Sequence, residues 1–204
     1  MALLEPEVLK RVEALEREGA GNDARQTERR LKRLNLERPA AELLHLLLRA
    51  TGRRRVLEIG TSNGLSAIWI QAALRVTGGS LVSIDREEDK LRQARDNLRA
   101  CGLLEGATLL SGDATDVVRS LPGPFDAVFF DADRVSAPEQ LSLLLPRLAP
   151  DVLLLSDNVL SHPAEVAAYL AACERLPDFA SAIVPVGKGL HVAHRAGKAP
   201  PSPR

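Results

Sequence analysis

Acidic side chains recur in this chain at one kind of place, in or just after a short apolar run. Glu58 lies inside Val56–Ile59, Asp85 follows Leu81–Ile84, and Asp113 follows Ala107–Leu110 by way of Ser111-Gly112. Asp131 and Asp133 follow Phe125–Phe130, and Asp157-Asn158 follows Val152–Leu155. Carboxylates at such positions can accept hydrogen bonds from hydroxyl and amino groups, hold a hard cation, or move protons. Asp85 comes about 20 residues after a glycine-rich turn, the spacing at which a carboxylate accepts both hydroxyls of a ribose. Asp113, beside a glycine that permits close approach, is placed to accept from an adenine amino group. Five such acidic positions on one rim would repel one another unless cations or hydrogen-bond donors offset them. For Asp157-Asn158 the competing structural reading is a capped turn before a helix that starts at Pro163.

The turn itself is Val56-Leu57-Glu58-Ile59-Gly60-Thr61-Ser62-Asn63-Gly64-Leu65-Ser66. A short buried strand, a glycine turn and an apolar run of helical length from Leu65 to Val76 make the opening of a nucleotide-binding α/β unit. Gly60 and Gly64 remove side chains where a ligand meets backbone, and the first N–H groups of the helix suit a carboxylate or phosphate. Several functions compete for it. A dinucleotide fingerprint needs G-x-G-x-x-G, whose second and third glycines are missing here. Gly60-Thr61-Ser62-Asn63-Gly64 matches the G-x-S-x-G nucleophile elbow, with Asp157 and His191 formally available as partners, but the elbow would fall on the first parallel strand with no H-G-G-G loop before it. A plain structural turn is the third possibility. The motif also resembles E-x-G-x-x-x-G-x-S of class I S-adenosylmethionine sites, with every fixed position present.

The elements that must hold these residues alternate without a break from Val56. Strands are expected at 56–59, 81–84, 107–110, 125–130 and 152–155, and helices at 65–76, 88–100, 115–121, 138–148 and 163–173. Continuous apolar strands suit a sheet covered on both faces. The repeat predicts an α/β fold, a Rossmann-like doubly wound and mostly parallel seven-stranded sheet. Its last strand is antiparallel, from the pair 182–186 and 190–193 around Gly187-Lys188-Gly189. Extra N-terminal helices precede it: 4–18, broken at Gly19 to Asn22, and a second opened by Pro39 through Ala50. The basic stretch Arg25 to Arg33 reads as a solvated helix face or, failing that, an RNA-binding arm. Arg53 to Arg55 reads as ordinary surface. Three segments follow: an N-terminal helical lid or dimerisation segment at 1–38, a cofactor-binding domain at 39–195, and a disordered tail at 196–204.

Composition excludes several classes. With 27 basic and 27 acidic residues the chain has no overall pull toward nucleic acid or an anionic membrane. One Trp and one Tyr leave little for a base-stacking platform. Cys101 and Cys173 lie in apolar helical patterns and are expected as reduced core thiols. No apolar run approaches the length of a membrane span and no leader pattern is visible, so a cytoplasmic protein with no membrane partner is expected.

Four blocks, Val56–Ser66, Ser83-Ile84-Asp85, Phe125–Asp133 and Ser156-Asp157-Asn158-Val159-Leu160, appear in an order and spacing that resembles the catechol and caffeoyl-CoA type of class I O-methyltransferases, including the bacterial O-methyltransferase family 3. The resemblance covers roughly residues 36 to 195. It implies S-adenosyl-L-methionine as cofactor, held by Glu58, Gly60, Thr61, Ser62, Gly64 and Ser66 at its methionine end. It places Asp85 at the ribose, Asp113 and Ala114 at the adenine, and Asp131 and Asp133 as further contacts. It also implies a divalent metal on Asp131, Asp157 and Asn158, and the donor chemistry agrees: three oxygen ligands suit Mg²⁺, Ca²⁺ or Mn²⁺. The implied reaction is in-line methyl transfer to a hydroxyl of a small substrate, a vicinal diol among the candidates, by a homodimer, with Asp131 and Arg134 in catalytic positions.

Departures from the family pattern narrow this. Arg134 replaces the usual lysine and can stabilise an oxyanion but cannot accept a proton. Val135-Ser136-Ala137-Pro138 and Ser161 stand where aromatic pocket walls are usual. Of His162, His191 and His194, each read first as surface or core, His162 is the best placed to be a general base. Two other functions stay open: methylation of a tRNA hydroxyuridine, served by the basic stretches, and a cofactor-binding module without turnover.

Overall fold

The computed structural model describes residues 3–197; most of the tail expected to be disordered, 198–204, lies outside the described residues. Elements α1 (Pro6–Arg25) and α2 (Arg38–Ala50) precede five βα units: β1 (Arg55–Ile59), α3 (Leu65–Thr77), β2 (Ser80–Asp85), α4 (Glu88–Ala100), β3 (Ala107–Ser111), α5 (Ala114–Ser120), β4 (Phe125–Phe130), α6 (Ala137–Leu144), β5 (Leu148–Ser156) and α7 (Pro163–Glu174). β6 (Phe179–Val184) and β7 (Leu190–Arg195) complete one seven-stranded sheet of order β3-β2-β1-β4-β5-β7-β6. β1 to β5 run parallel, and β7 is antiparallel to both of its neighbours. The doubly wound sheet and its antiparallel last strand are as the sequence implied.

Each central strand sends alternate residues to opposite faces, and both faces are packed. Val56 and Phe129 join Leu44, Leu48, Trp69 and Leu98 in one apolar cluster, while Leu57 and Val128 join Val118, Leu144 and Tyr169 in the other. Cys101 and Cys173 are free and buried, as expected. No described helix is long and apolar enough to cross a membrane.

The sheet order reverses at β1, which pairs with β2 on one side and β4 on the other. Ligands of such sheets sit in the crevice beyond the carboxyl ends at this reversal. Here the ladder continues past the strand ends: Gly60 N–H donates to Ile84 C=O, Asp131 N–H to Ile59 C=O and Asp157 N–H to Phe130 C=O. These three bonds bring the glycine turn and both acids onto one rim.

Several local expectations need correction. α1 runs through Gly19 to Asn22 instead of breaking there, because Gly19 is a packing notch: a Cβ on it would lie 2.3 Å from Asn35 Nδ2. The basic residues after Arg25 form no helix face; they lie in a loop with a short 3₁₀ turn at Arg29–Leu31. α6 stops at Leu144, since Pro146 has no N–H for an i→i−4 bond, and β5 starts earlier, at Leu148. β6 is shifted to Phe179–Val184, where its register pairs Phe179 with Arg195. Arg53 is no surface residue. It is 4% exposed, with its guanidinium on the Asp151 carboxylate at 2.7 Å and the Asp151 carbonyl at 3.0 Å, tying the entry of β1 to β5.

β7 also carries a titratable core group. His191 is buried edge-on to the Tyr169 ring, and burial alone pushes its imidazole down to about 4. A depressed histidine pKa means that the unfolded chain takes up a proton near pH 6.5 that the native state refuses. His191 therefore costs no stability above about pH 6.5 and progressively more as pH falls toward 4, on the order of 3 kcal/mol at most. Urea unfolding of wild type and His191→Leu between pH 4 and 7 tests this: the difference between them should shift in favour of the variant as pH falls, and a pH-independent difference would contradict the assignment.

Candidate active site

The glycine turn owes its shape to two close approaches. Gly60, at φ +109°, lies against β4, and a Cβ there would stand 2.4 Å from Asp131 C=O. Gly64, at φ +86°, caps α3, and its Cβ would stand 2.9 Å from the Ala94 Cα of α4. Between them Ser62 also takes a left-handed conformation, φ +47°. Its N–H donates to Asp85 Oδ2 at 2.7 Å, and its hydroxyl donates to Arg33 C=O at 2.7 Å. Asp85 further accepts from Glu87 N–H at 3.0 Å, so this carboxylate fixes the turn and retains lone pairs for a ligand.

Beneath the turn, the register that sets Glu58 beside Ser83 explains a buried chain. Thr61 Oγ1 and Ser83 Oγ lie 2.6 Å apart, and Ser83 donates to Glu58 Oε2. Burial raises the Glu58 carboxyl to about 7, a rise opposed by hydrogen bonds from Ser66 and Ser83 and supported by the charge of Asp85. Glu58 Oε1 and Asn63 Oδ1 are buried polar atoms with no protein partner.

At the ends of β4 and β5, Asp131, Asp157 and Asn158 meet. Asn158, at φ +66°, points its amide to Asp157 Oδ2 at 2.8 Å and to Asp131 Oδ1 at 3.4 Å, while Asp157 Oδ1 is buried and unpartnered. Burial, then the neighbouring Asp157 and Glu58 charges, raise Asp131 well above the ordinary carboxylate range. Asp157 rises to about 6, chiefly through burial. Two acids that repel, buried Asp157 and half-buried Asp131, an orphaned carboxylate oxygen and an amide that can present its oxygen after rotation form a donor set suited to a hard divalent cation. Among the described residues no three His, Cys, Asp or Glu side chains cluster for a metal; this trio has two acids and one amide.

A cavity of about 790 Å³ joins these parts. Of the residues singled out in the sequence, Gly60, Thr61, Ser62, Ser66, Asp85, Asp131, Asp133, Arg134 and Asn158 lie on its wall, with His162. Glu58, Gly64, Asp113, Ala114 and Asp157 do not. Asp113 caps α5 through Thr115 N–H at 2.9 Å. Asp133 accepts from Ser136 Oγ at 2.6 Å and from Val135 N–H, bonds that hold its carboxyl below the usual range. Arg134 donates to Glu165 at 2.9 Å with its side chain only 11% exposed. The nucleophile-elbow alternative fails on geometry: Ser62 bonds a backbone carbonyl, and His191 is buried edge-on against Tyr169.

The sequence reading missed part of the wall. Arg86, Lys90 and Lys188 line the cavity, beside Arg33 of the basic stretch. Lys188 was visible only as the middle of a hairpin turn; that turn docks on the Asn158 loop through Leu160 N–H to Lys188 C=O and Val159 N–H to Gly189 C=O. Among the described residues no Phe, Tyr or Trp lines the wall.

A doubly wound sheet with this order, this turn and an acid at the end of β2 is the frame of a Rossmann-like methyltransferase. Residues 57–159 match the family described as a methyltransferase domain, and the chain belongs to that family. It is 31% identical over 123 residues to a catechol O-methyltransferase of Niastella koreensis, covering 58% of this chain and 55% of that protein. It is likewise 31% identical over 131 residues to a catechol O-methyltransferase of Mycobacterium tuberculosis, covering 64% and 59%. The chain thus spans little more than half the length of these relatives. The O-methyltransferase TomG of Streptomyces achromogenes, solved in complex with SAM, superposes with a TM-score of 0.78 at 27% identity, over 95% of this chain and 91% of that one.

The glycine geometry is directly testable. Gly60→Ala meets both a positive φ and the Asp131 carbonyl, whereas Gly52→Ala meets a positive φ with nothing within 4 Å. Urea unfolding should show Gly52→Ala losing about 1 kcal/mol and Gly60→Ala about 3 kcal/mol or more. Equal losses would show that the β4 contact gives way freely.

Proposed function

We propose that the protein is an S-adenosylmethionine-dependent O-methyltransferase acting on a hydroxyl of a small molecule with help from a divalent cation. The observation that carries this is the convergence of the glycine turn, Asp85 and the Asp131–Asn158 corner on one cavity of about 790 Å³, within the range of small-molecule sites, about 300–1,000 Å³.

The residues divide the task along the rim. The α3 N-terminus, behind Gly64, offers N–H groups to a carboxylate, and Ser66 and Thr61 stand beside it. Buried and raised in pKa, Glu58 supports the turn from below. Asp85 accepts from ribose hydroxyls with the lone pairs that Ser62 and Glu87 leave free, and Asp113 with Ala114, which lie beyond the cavity wall, would meet the adenine where it extends past that wall. S-adenosylmethionine, when bound, supplies an electrophilic methyl group on a sulfonium. Asp131, Asp157 and Asn158 would hold the cation, which when bound lowers the pKa of an acceptor hydroxyl and orients it. Arg134, anchored by Glu165, is a fixed positive charge and takes no proton. His162, on the wall with Nδ1 toward Ser161 at 2.8 Å, can accept the hydroxyl proton at Nε2.

A second reading rests on the wall's charge. The wall carries Arg29, Arg30, Lys32, Arg33, Arg86, Lys90, Arg134 and Lys188 against Asp85, Glu87, Asp131 and Asp133, an excess of positive charge that would serve an acceptor hydroxyl on tRNA. That reading requires tRNA affinity to fall steeply with salt.

Calorimetric titration with S-adenosylmethionine should show binding to wild type and at least about tenfold weaker binding to Asp85→Ala, which loses hydrogen bonds to a charged group. Methyl transfer to a diol panel should stop with chelator and return with Mg²⁺ in wild type but not in Asp157→Ala. Binding without transfer to any diol or to tRNA would leave a cofactor-binding module; no binding by wild type would overturn the reading.

A further inference from the structure

We infer that α1 and the loop after it are a built part of the cofactor site, with Arg11 and Asp23 as positioning residues that hold the glycine turn through two hydrogen-bond relays. The inference rests on the reading of that turn as the S-adenosylmethionine site.

The first relay starts at Arg11, whose Nη2 and Nε both donate to Asn97 Oδ1, at 2.6 and 3.2 Å. A guanidinium has donors only, so it settles which end of the Asn97 amide faces it. Asn97 Nδ2 is thereby aimed at Asn63 C=O, 2.7 Å away. The same peptide unit is held at its other end, where Gly64 N–H donates to Thr61 C=O at 2.9 Å. Both Asn97 and Asn63 are buried, so neither bond is readily replaced by water. The Asn63–Gly64 peptide sets where α3 begins, and so where its first N–H groups point.

The second relay starts about three turns further along α1. Asp23 accepts from Arg33 N–H at 2.6 Å and Leu34 N–H at 2.9 Å, one with each carboxylate oxygen. These bonds hold Leu34 at φ +50°, a conformation that a leucine does not choose unaided. With the loop so fixed, Arg33 C=O accepts from the Ser62 hydroxyl at 2.7 Å. The two relays end on consecutive residues, Ser62 and Asn63, and the loop between α1 and α2 supplies a stretch of the cavity wall from Thr27 to Leu36. Binding at the turn and docking of the N-terminal segment are then linked, and each must strengthen the other by the same factor.

The test combines calorimetry with amide hydrogen exchange on the full chain. Wild type should bind S-adenosylmethionine, and bound cofactor should slow exchange in residues 6–37 as well as in the turn. Arg11→Met and Asp23→Asn should each weaken binding about tenfold, and Arg11→Lys, which keeps a donor and the charge, should recover most of the loss. Because Arg11 acts through Asn97, Arg11→Met should add nothing in an Asn97→Ala background. A purely structural role for Arg11 would lower the melting temperature without this non-additivity. Folded variants that bind as wild type, additive effects, or cofactor-independent exchange in residues 6–37 of wild type would overturn the inference, the last even if a variant fails to fold. No binding by wild type would instead remove the cofactor reading, and this inference with it.

Discussion

Where Gly60 crosses Asp131, two backbones approach so closely that only a hydrogen atom fits on the Gly60 Cα. That contact is possible because β1 and β4 are sheet neighbours although two whole βα units separate them in sequence. Everything the site requires follows from it. The glycine turn leaves the sheet on one side of the crossing, the acidic corner leaves on the other, and a ligand between them touches both. A side chain at residue 60 would push the two halves of the site apart.

The corner gathers negative charge at the edge of the core, with Glu58 and Asp157 buried and Asp131 half-buried on the cavity wall. Burial raises the proton affinity of Asp131, Asp157 and Glu58, the charges of Asp157 and Glu58 add to it at Asp131, and the cations Arg134 and Lys188 only partly oppose the rise at the two aspartates. In a medium of low polarity such a cluster is stable only when protonated or matched by positive charge. The reading of the corner as a cation site agrees with that requirement.

Periodicity revealed the sheet well, because apolar runs such as Phe125–Phe130 carry their burial in their own composition. Acids at the strand ends were legible for the same reason: a polar residue closing an apolar run marks the sheet's rim. What periodicity could not show was anything decided by contacts between distant segments. Gly19 looked like a helix break and is a notch for Asn35; Arg53 looked like surface and is buried on Asp151. Pro146 was a local signal, and it shortened α6 where the apolar pattern ran on. Lys188 and Asn97 carried no signal, since a hairpin lysine and a helical asparagine become meaningful only once the loops they touch are placed.

Gly19 also has a consequence well beyond its own helix. The amide of Asn35 seats in the notch and donates to the Leu15 carbonyl at 2.9 Å, and Asn35 and its neighbours form part of the cavity wall. The capacity of the chamber is therefore governed from behind, by a missing methyl group at a buried position that is not part of the wall. A lineage that filled the notch would inherit a differently shaped chamber with every lining residue unchanged, so alignments of lining residues alone would misjudge which acceptors such a relative can admit.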